Sequence, residues 1–234
     1  MRSAPCTMTG RICAGNSGRH QGRSNDVRPD LRFELLHRAE RLQAAHAERD
    51  REAVSEVEAD NVAWLRSVVA EIGWPGRSMV GSDGADAALM LAQNTGRDHV
   101  FQRHCLDLLR RAAEAGEAPP AQVAYLTDRI LLAEGHQQEY GTELTGRDGQ
   151  WLAPRLRDPA NVDERRATLS LEPLADHIAS LTAQHGPPKP SVIACAECGT
   201  AIEVWLPDLG NEQTVDCAAC GWTVRLTAGA SPDT

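Results

Sequence analysis

Apolar residues recur at helical steps through most of this chain. Leu31, Leu35, Leu42 and Ala45 share one face of a helix beginning near Pro29, with Arg and Glu on the other side. After a charged break at "ERDRE", Val54, Val57, Leu65, Val69 and Ile72 continue the pattern in a second helix, which "GWPG" stops. "RSMVGSDG" reads as a loop, from which Ser82 or Asp83 caps a third helix through "ADAALMLAQ". The fourth helix turns Phe101, Cys105, Leu108 and Ala112 inward and ends at Gly116. "PPAQVAYLTDRILLAEG" makes a fifth, with proline in its first turn. "HQQEYGTELTGRDGQWLAPRLRDP" is irregular, and two short helices follow over 163–168 and 172–181. Nothing within 27–183 alternates at period two. The expected fold class is mainly α, a multi-helix domain at 27–183 plus a small β module.

The pattern changes after the stiff, Pro-rich spacer at 184–191. "AIEVWL" at 201–206 and "WTVRL" at 222–226 read as strands, with "PDLGN" turning between them. Each follows a CxxC clip. Cys195, Cys198, Cys217 and Cys220 have the C-x2-C-x18-C-x2-C spacing of a four-cysteine metal site. Each clip aims two thiolates at one point, and two clips complete a tetrahedron around Zn²⁺. Gly199 and Gly221 stand where each knuckle must turn sharply. In spacing, glycines and strands, residues 193–226 resemble the zinc-ribbon family, with an iron site as the rival. A structural Zn²⁺ and a ribbon over 192–227 are expected. Residues 1–26 and 228–234 read as disordered tails, and Cys6 and Cys13 are too isolated to nominate a site.

Charge narrows the partners. The chain carries 33 acids against 24 bases, a formal net charge of −9, which repels nucleic acid and anionic membrane. Glu197, Glu203, Asp208, Glu212 and Asp216 face only Arg225 within the ribbon, and a Zn(Cys)₄ centre adds about −2. Nucleic-acid binding through the ribbon is disfavoured for want of cations. Trp205 and Trp222 read as cover for its small core, and a protein partner is expected instead. No run nears the roughly 20 apolar residues of a membrane helix, and no signal-peptide core is visible. A cytoplasmic location follows, where paired CxxC clips favour metal over disulfides. Lys189 is the only lysine, so P-loop, kinase and Schiff-base chemistries have no lysine outside the spacer.

The fifth helix is apolar almost all round, through Val123, Ala124, Leu126, Ile130, Leu131 and Leu132, and is therefore buried. Asp128 and Arg129 go in with it. They lie 100° apart and need separate partners. Either they pin the loop beyond, or they line a polar pocket. A hydrolase would use Asp128 or Glu143 as general base, with Tyr140 and Arg129 stabilising an anion. No GxSxG, HExxH or GxGxxG motif is present, and His99 and His104 are five apart, off the spacing of paired ligands. Glu134, His136, Glu139 and Glu143 crowd one loop and read as solvated surface.

"WPGRSMVG", "FQRHCLDLLRRAAEAGE", "AYLTDRILLAEG", "YGTE" and "NVDERRATLSLEPLADHI" together resemble a bacterial domain of unknown function marked by a DR pair and a YGTQ element, over residues 30–183. The resemblance implies one constellation of Asp128, Arg129, Tyr140, Gly141 and Thr142, but no reaction. Glu143 stands where the family has Gln, and Asn94 where a His is expected. If that His is catalytic in relatives, this copy is weakened or inactive. The preferred reading is a zinc-binding adaptor whose helical domain binds a ligand or peptide. The alternative is a hydrolase.

Overall fold

A computed structural model describes residues 27–48, 50–96, 98–205 and 212–227. The expected tails, the turn at 207–211, Cys6 and Cys13 lie outside the described residues.

Five helices build the main core: α1 (Pro29–Glu48), α2 (Arg51–Ile72), α3 (Arg77–Gln93), α4 (His99–Glu114) and α5 (Pro120–Ala133). Asp50 caps α2, accepting from the backbone N–H of Glu52 and Ala53, and Asp98 caps α4 through Phe101. α3 lies centrally, packed against α1, α2, α4 and α5. Its buried face of Gly84, Ala85, Ala87, Ala88 and Ala92 lets those neighbours approach closely. Leu35, Leu42, Leu65, Leu91, Leu109 and Leu126, each nearly inaccessible, fill the layers between the helices.

The chain is helical from Arg77, earlier than expected. Gly81, at φ +76°, breaks that helix one residue before Ser82, so the expected loop survives only as a kink. In α4 the inward residue is Leu109 rather than the half-buried Leu108.

The 27–183 region is not purely helical. β1 (Thr145–Arg147) and β2 (Gln150–Leu152) form an antiparallel hairpin around Asp148 and Gly149, both at positive φ. Asp-Gly is the favoured turn for such a hairpin. Three-residue strands are too short to display an alternation. Beyond them α6 (Val162–Thr168) precedes α7 (Leu174–His185), whose last turn uses residues assigned above to the spacer.

The C-terminal module holds two hairpins. β3 (Ser191–Ala194) pairs with β4 (Ala201–Val204), and β5 (Glu212–Asp216) with β6 (Thr223–Thr227), each antiparallel around one CxxC knuckle. β3 and β5 are strands the sequence reading omits, and β3 starts at the last residue of the expected spacer. Ile193, Val204, Val224 and Leu226 form the module's own core, with Ile202 and Val215 packed against them. Among the described residues no helix is long and apolar enough to cross a membrane.

Candidate functional site

The two knuckles are built alike. Gly199 donates its N–H to Cys195 O and Gly221 to Cys217 O, both at 2.8 Å, with φ of +71° and +75°. Cys195 N–H then bonds Thr200 O and Cys217 N–H bonds Trp222 O, closing each loop. The result brings four sulfurs within 4.8 Å of one another. Cys195 and Cys220 lie 3.6 Å apart, Cys198 and Cys217 3.7 Å. A disulfide would need about 2.05 Å. A tetrahedron of about 2.3 Å metal–sulfur bonds has edges near 3.8 Å, so the donor set fits a divalent metal. Hydrogen bonds from Thr200 hold the Cys198 thiol down to about 6. A backbone bond from Trp222 favours ionising Cys220, but burial and the three neighbouring thiols outweigh it and push that group up to about 12. Four sulfurs this close cannot all ionise without a cation among them.

The second cluster centres on α5. Asp128 is fully buried. Its Oδ1 accepts from the N–H of Glu139 at 2.8 Å and of Tyr140 at 3.1 Å. Its Oδ2 accepts from Thr142 N and Thr142 Oγ1, both at 2.9 Å. Both oxygens are thus committed to the loop, and Asp128 acts as a clasp. Gly141 sits at φ +67°, where a Cβ would come within 3.2 Å of Ala153 Cβ. Only glycine passes there without strain.

Arg129, one position on, points elsewhere. Its Nη1 pairs with Glu143 Oε2 at 3.3 Å, while its Nε is buried with no acceptor. Burial pushes the Glu143 carboxyl above its ordinary range, opposed by Arg129 and reinforced by Asp128. Glu58 on α2 also feels the Arg129 charge and is likewise raised, chiefly by burial, with His46 and Arg129 opposing. Tyr140 joins the cluster through its backbone, and burial, then Glu139, keeps its phenol protonated to higher pH.

The other loop acids have private partners. Glu134 forms a bidentate pair with Arg103, and Glu139 pairs with Arg157 at 2.8 Å and Arg165 at 3.7 Å. His136 is exposed beside them. Asn94 donates its side-chain amide to Met90 O at 2.8 Å. His99 buries an unpartnered Nδ1, whereas His104 is exposed.

The chain belongs to a family of unknown function, DUF6624. That family model matches residues 29–187, which takes in the helical core, the clasped loop and α7, and ends before the cysteine hairpins. No curated protein and no solved structure matches the chain. Family membership supplies no reaction, so the site must be judged on its own chemistry.

Three residues of that site carry no spacing signal in the sequence. Gln138 is fully buried; its Nε2 donates to Glu143 O at 3.0 Å and Pro154 O at 2.7 Å, while its Oε1 accepts from Glu143 N at 3.0 Å. Arg166, 1% exposed, donates Nε–H to Glu172 O at 2.6 Å and Nη1–H to Tyr140 O at 2.7 Å. Burial weakens its hold on the proton. Glu58 is the third. Together with Asp128, Gln138 and Arg166 fix both flanks of the Tyr140–Glu143 segment.

Proposed function

We propose that this protein is a zinc-binding adaptor of the cytoplasm, with a ligand-binding helical domain and a ribbon that meets another protein. The zinc reading rests on the sulfur spacing, near the edge length of a Zn(Cys)₄ tetrahedron. Cys195, Cys198, Cys217 and Cys220 would fill all four positions, so the ion is structural. It would supply much of the module's stability, whose core holds four buried apolar side chains. Trp222 is 49% exposed on the second knuckle and offers an apolar contact to a partner. The acidic surface around it disfavours phosphate backbones.

In the helical domain the ligand would sit at Arg129, between Glu143 and Glu58. A buried guanidinium N–H without an acceptor supports this, since such a donor is costly unless something satisfies it. Two flanking carboxyls argue against a strong anion and for a neutral polar ligand such as an amide. Thr142 and Gly141 hold the loop, and Tyr140 stands at its edge. A hydrolase is the second reading. The raised Glu143 carboxyl beside Arg129 favours it, because burial makes that group a stronger proton acceptor than an ordinary carboxylate.

Metal analysis of protein purified without chelator should give one zinc per chain, abolished when all four cysteines become serine. Less than one, or zinc retained in that variant, defeats the zinc reading. Screening amides by thermal shift against the native protein and Arg129→Gln tests the helical site. Hits that bind both proteins equally defeat it.

A further inference from the structure

The spacer does not hang free between helix and ribbon. Pro188 is buried, and a methyl group placed on Gly146 would lie 2.3 Å from its Cβ and 3.5 Å from the Trp205 ring. Gly146 is the register partner of Trp151 across the β1–β2 hairpin. Trp151 donates its indole N–H to Gly186 O at 3.2 Å, which fixes that ring against the spacer. Hairpin, spacer and ribbon therefore touch, and they enclose a cleft of about 470 Å³. That is within the roughly 300–1,000 Å³ of small-molecule sites.

Its chemistry is unlike the rest of the surface. Trp151, Trp205 and Pro188 are part of its apolar lining. Lys189 and His185 also line it, and no Asp or Glu does among the described residues. In a chain with nine more acids than bases, that exclusion sets the local sign of charge. Lys189 is exposed and forms no ion pair among the described residues, so its ammonium is open to an external anion. One ammonium and one imidazole suit a single carboxylate rather than a polyphosphate, which needs several donors.

We propose that this cleft binds a small organic monoanion with a flat apolar body, an aryl carboxylate, held between Trp151 and Trp205 with its charge on Lys189. The site is separate from Arg129 and independent of the function proposed above. The ring stacks on indole faces, as aromatic pairs prefer. The carboxylate gains a charge-assisted hydrogen bond at the rim.

The test uses 2-naphthoate and its neutral counterpart 2-naphthamide, read by quenching of tryptophan emission on the full chain. Naphthoate should bind about fivefold tighter than naphthamide, the scale of one rim ion pair. Lys189→Gln should erase that preference while leaving naphthamide unchanged. Trp205→Leu should weaken both probes about tenfold. Because Lys189 is the only lysine, naphthoate should also slow its acetylation, followed by mass spectrometry. Equal binding of the two probes, no binding of either, a preference that survives Lys189→Gln, or full binding to Trp205→Leu would each overturn the proposal.

Discussion

Asp128 and Thr142 are joined by two hydrogen bonds, the backbone N–H and the hydroxyl of Thr142 both donating to Asp128 Oδ2 at 2.9 Å. With the N–H groups of Glu139 and Tyr140 on Oδ1, one carboxylate organises the whole turn that follows α5. Its replacement should therefore cost stability in proportion to the donors left stranded. We expect Asp128→Asn to destabilise by about 3 kcal/mol and Thr142→Val by about 1 kcal/mol. Melting temperatures should fall by about 2–4 °C per kcal/mol. Equal effects of the two substitutions, seen in urea unfolding, would mean the clasp is not centred on Asp128.

Glu143 should impose a pH dependence of definite sign. Its folded-state pKa lies above the ordinary 4.5, so the folded protein holds the proton more tightly than the unfolded chain. The stability this gives is complete below 4.5 and is lost as pH rises through the raised value. Glu58 acts in the same direction. Glu143→Gln should flatten the decline above 4.5, measured as unfolding free energy against pH. A slope that Glu143→Gln leaves intact would assign it elsewhere.

Gly146 tests the seating of the cysteine module. A β-carbon there collides with Pro188, and its backbone is not in the left-handed region, so the cost of Gly146→Ala is steric alone. We expect the emission of Trp151 and Trp205 to shift to the red as the spacer lifts, with helical circular dichroism unchanged. Loss of helix instead would show that the hairpin is integral to the core.

Chelation separates the two cores. Removing metal should melt the hairpins, whose cluster of Ile193, Val204, Val224 and Leu226 is small, while α1 to α5 keep their cooperative transition. Two resolved thermal transitions with metal and one without are expected in calorimetry.

The helices and the cysteine cluster were legible because their signals recur at fixed spacings. Leu31, Leu35, Leu42 and Ala45 are buried where a 3.6-residue repeat puts them. Asp128 stood out because apolar residues surround it on every side of α5. The β1–β2 hairpin left only Asp148–Gly149 as a trace, which three-residue strands could not amplify. Gln138 and Arg166 matter partly through bonds to Pro154 and Tyr140, distant in the chain, and Glu58 through the charge of Arg129, and no local pattern marks such residues. β3 and β5 escaped because a strand that ends in a knuckle is read as part of the loop.

Among the described residues, no strand of the first cysteine hairpin bonds to a strand of the second, and each sheet has two members. Among those residues, side-chain packing and the four-cysteine cluster link the two sheets. Oxidation or alkylation of a single sulfur should accordingly spring the module open in one event, as a latch does, instead of fraying it gradually from an edge.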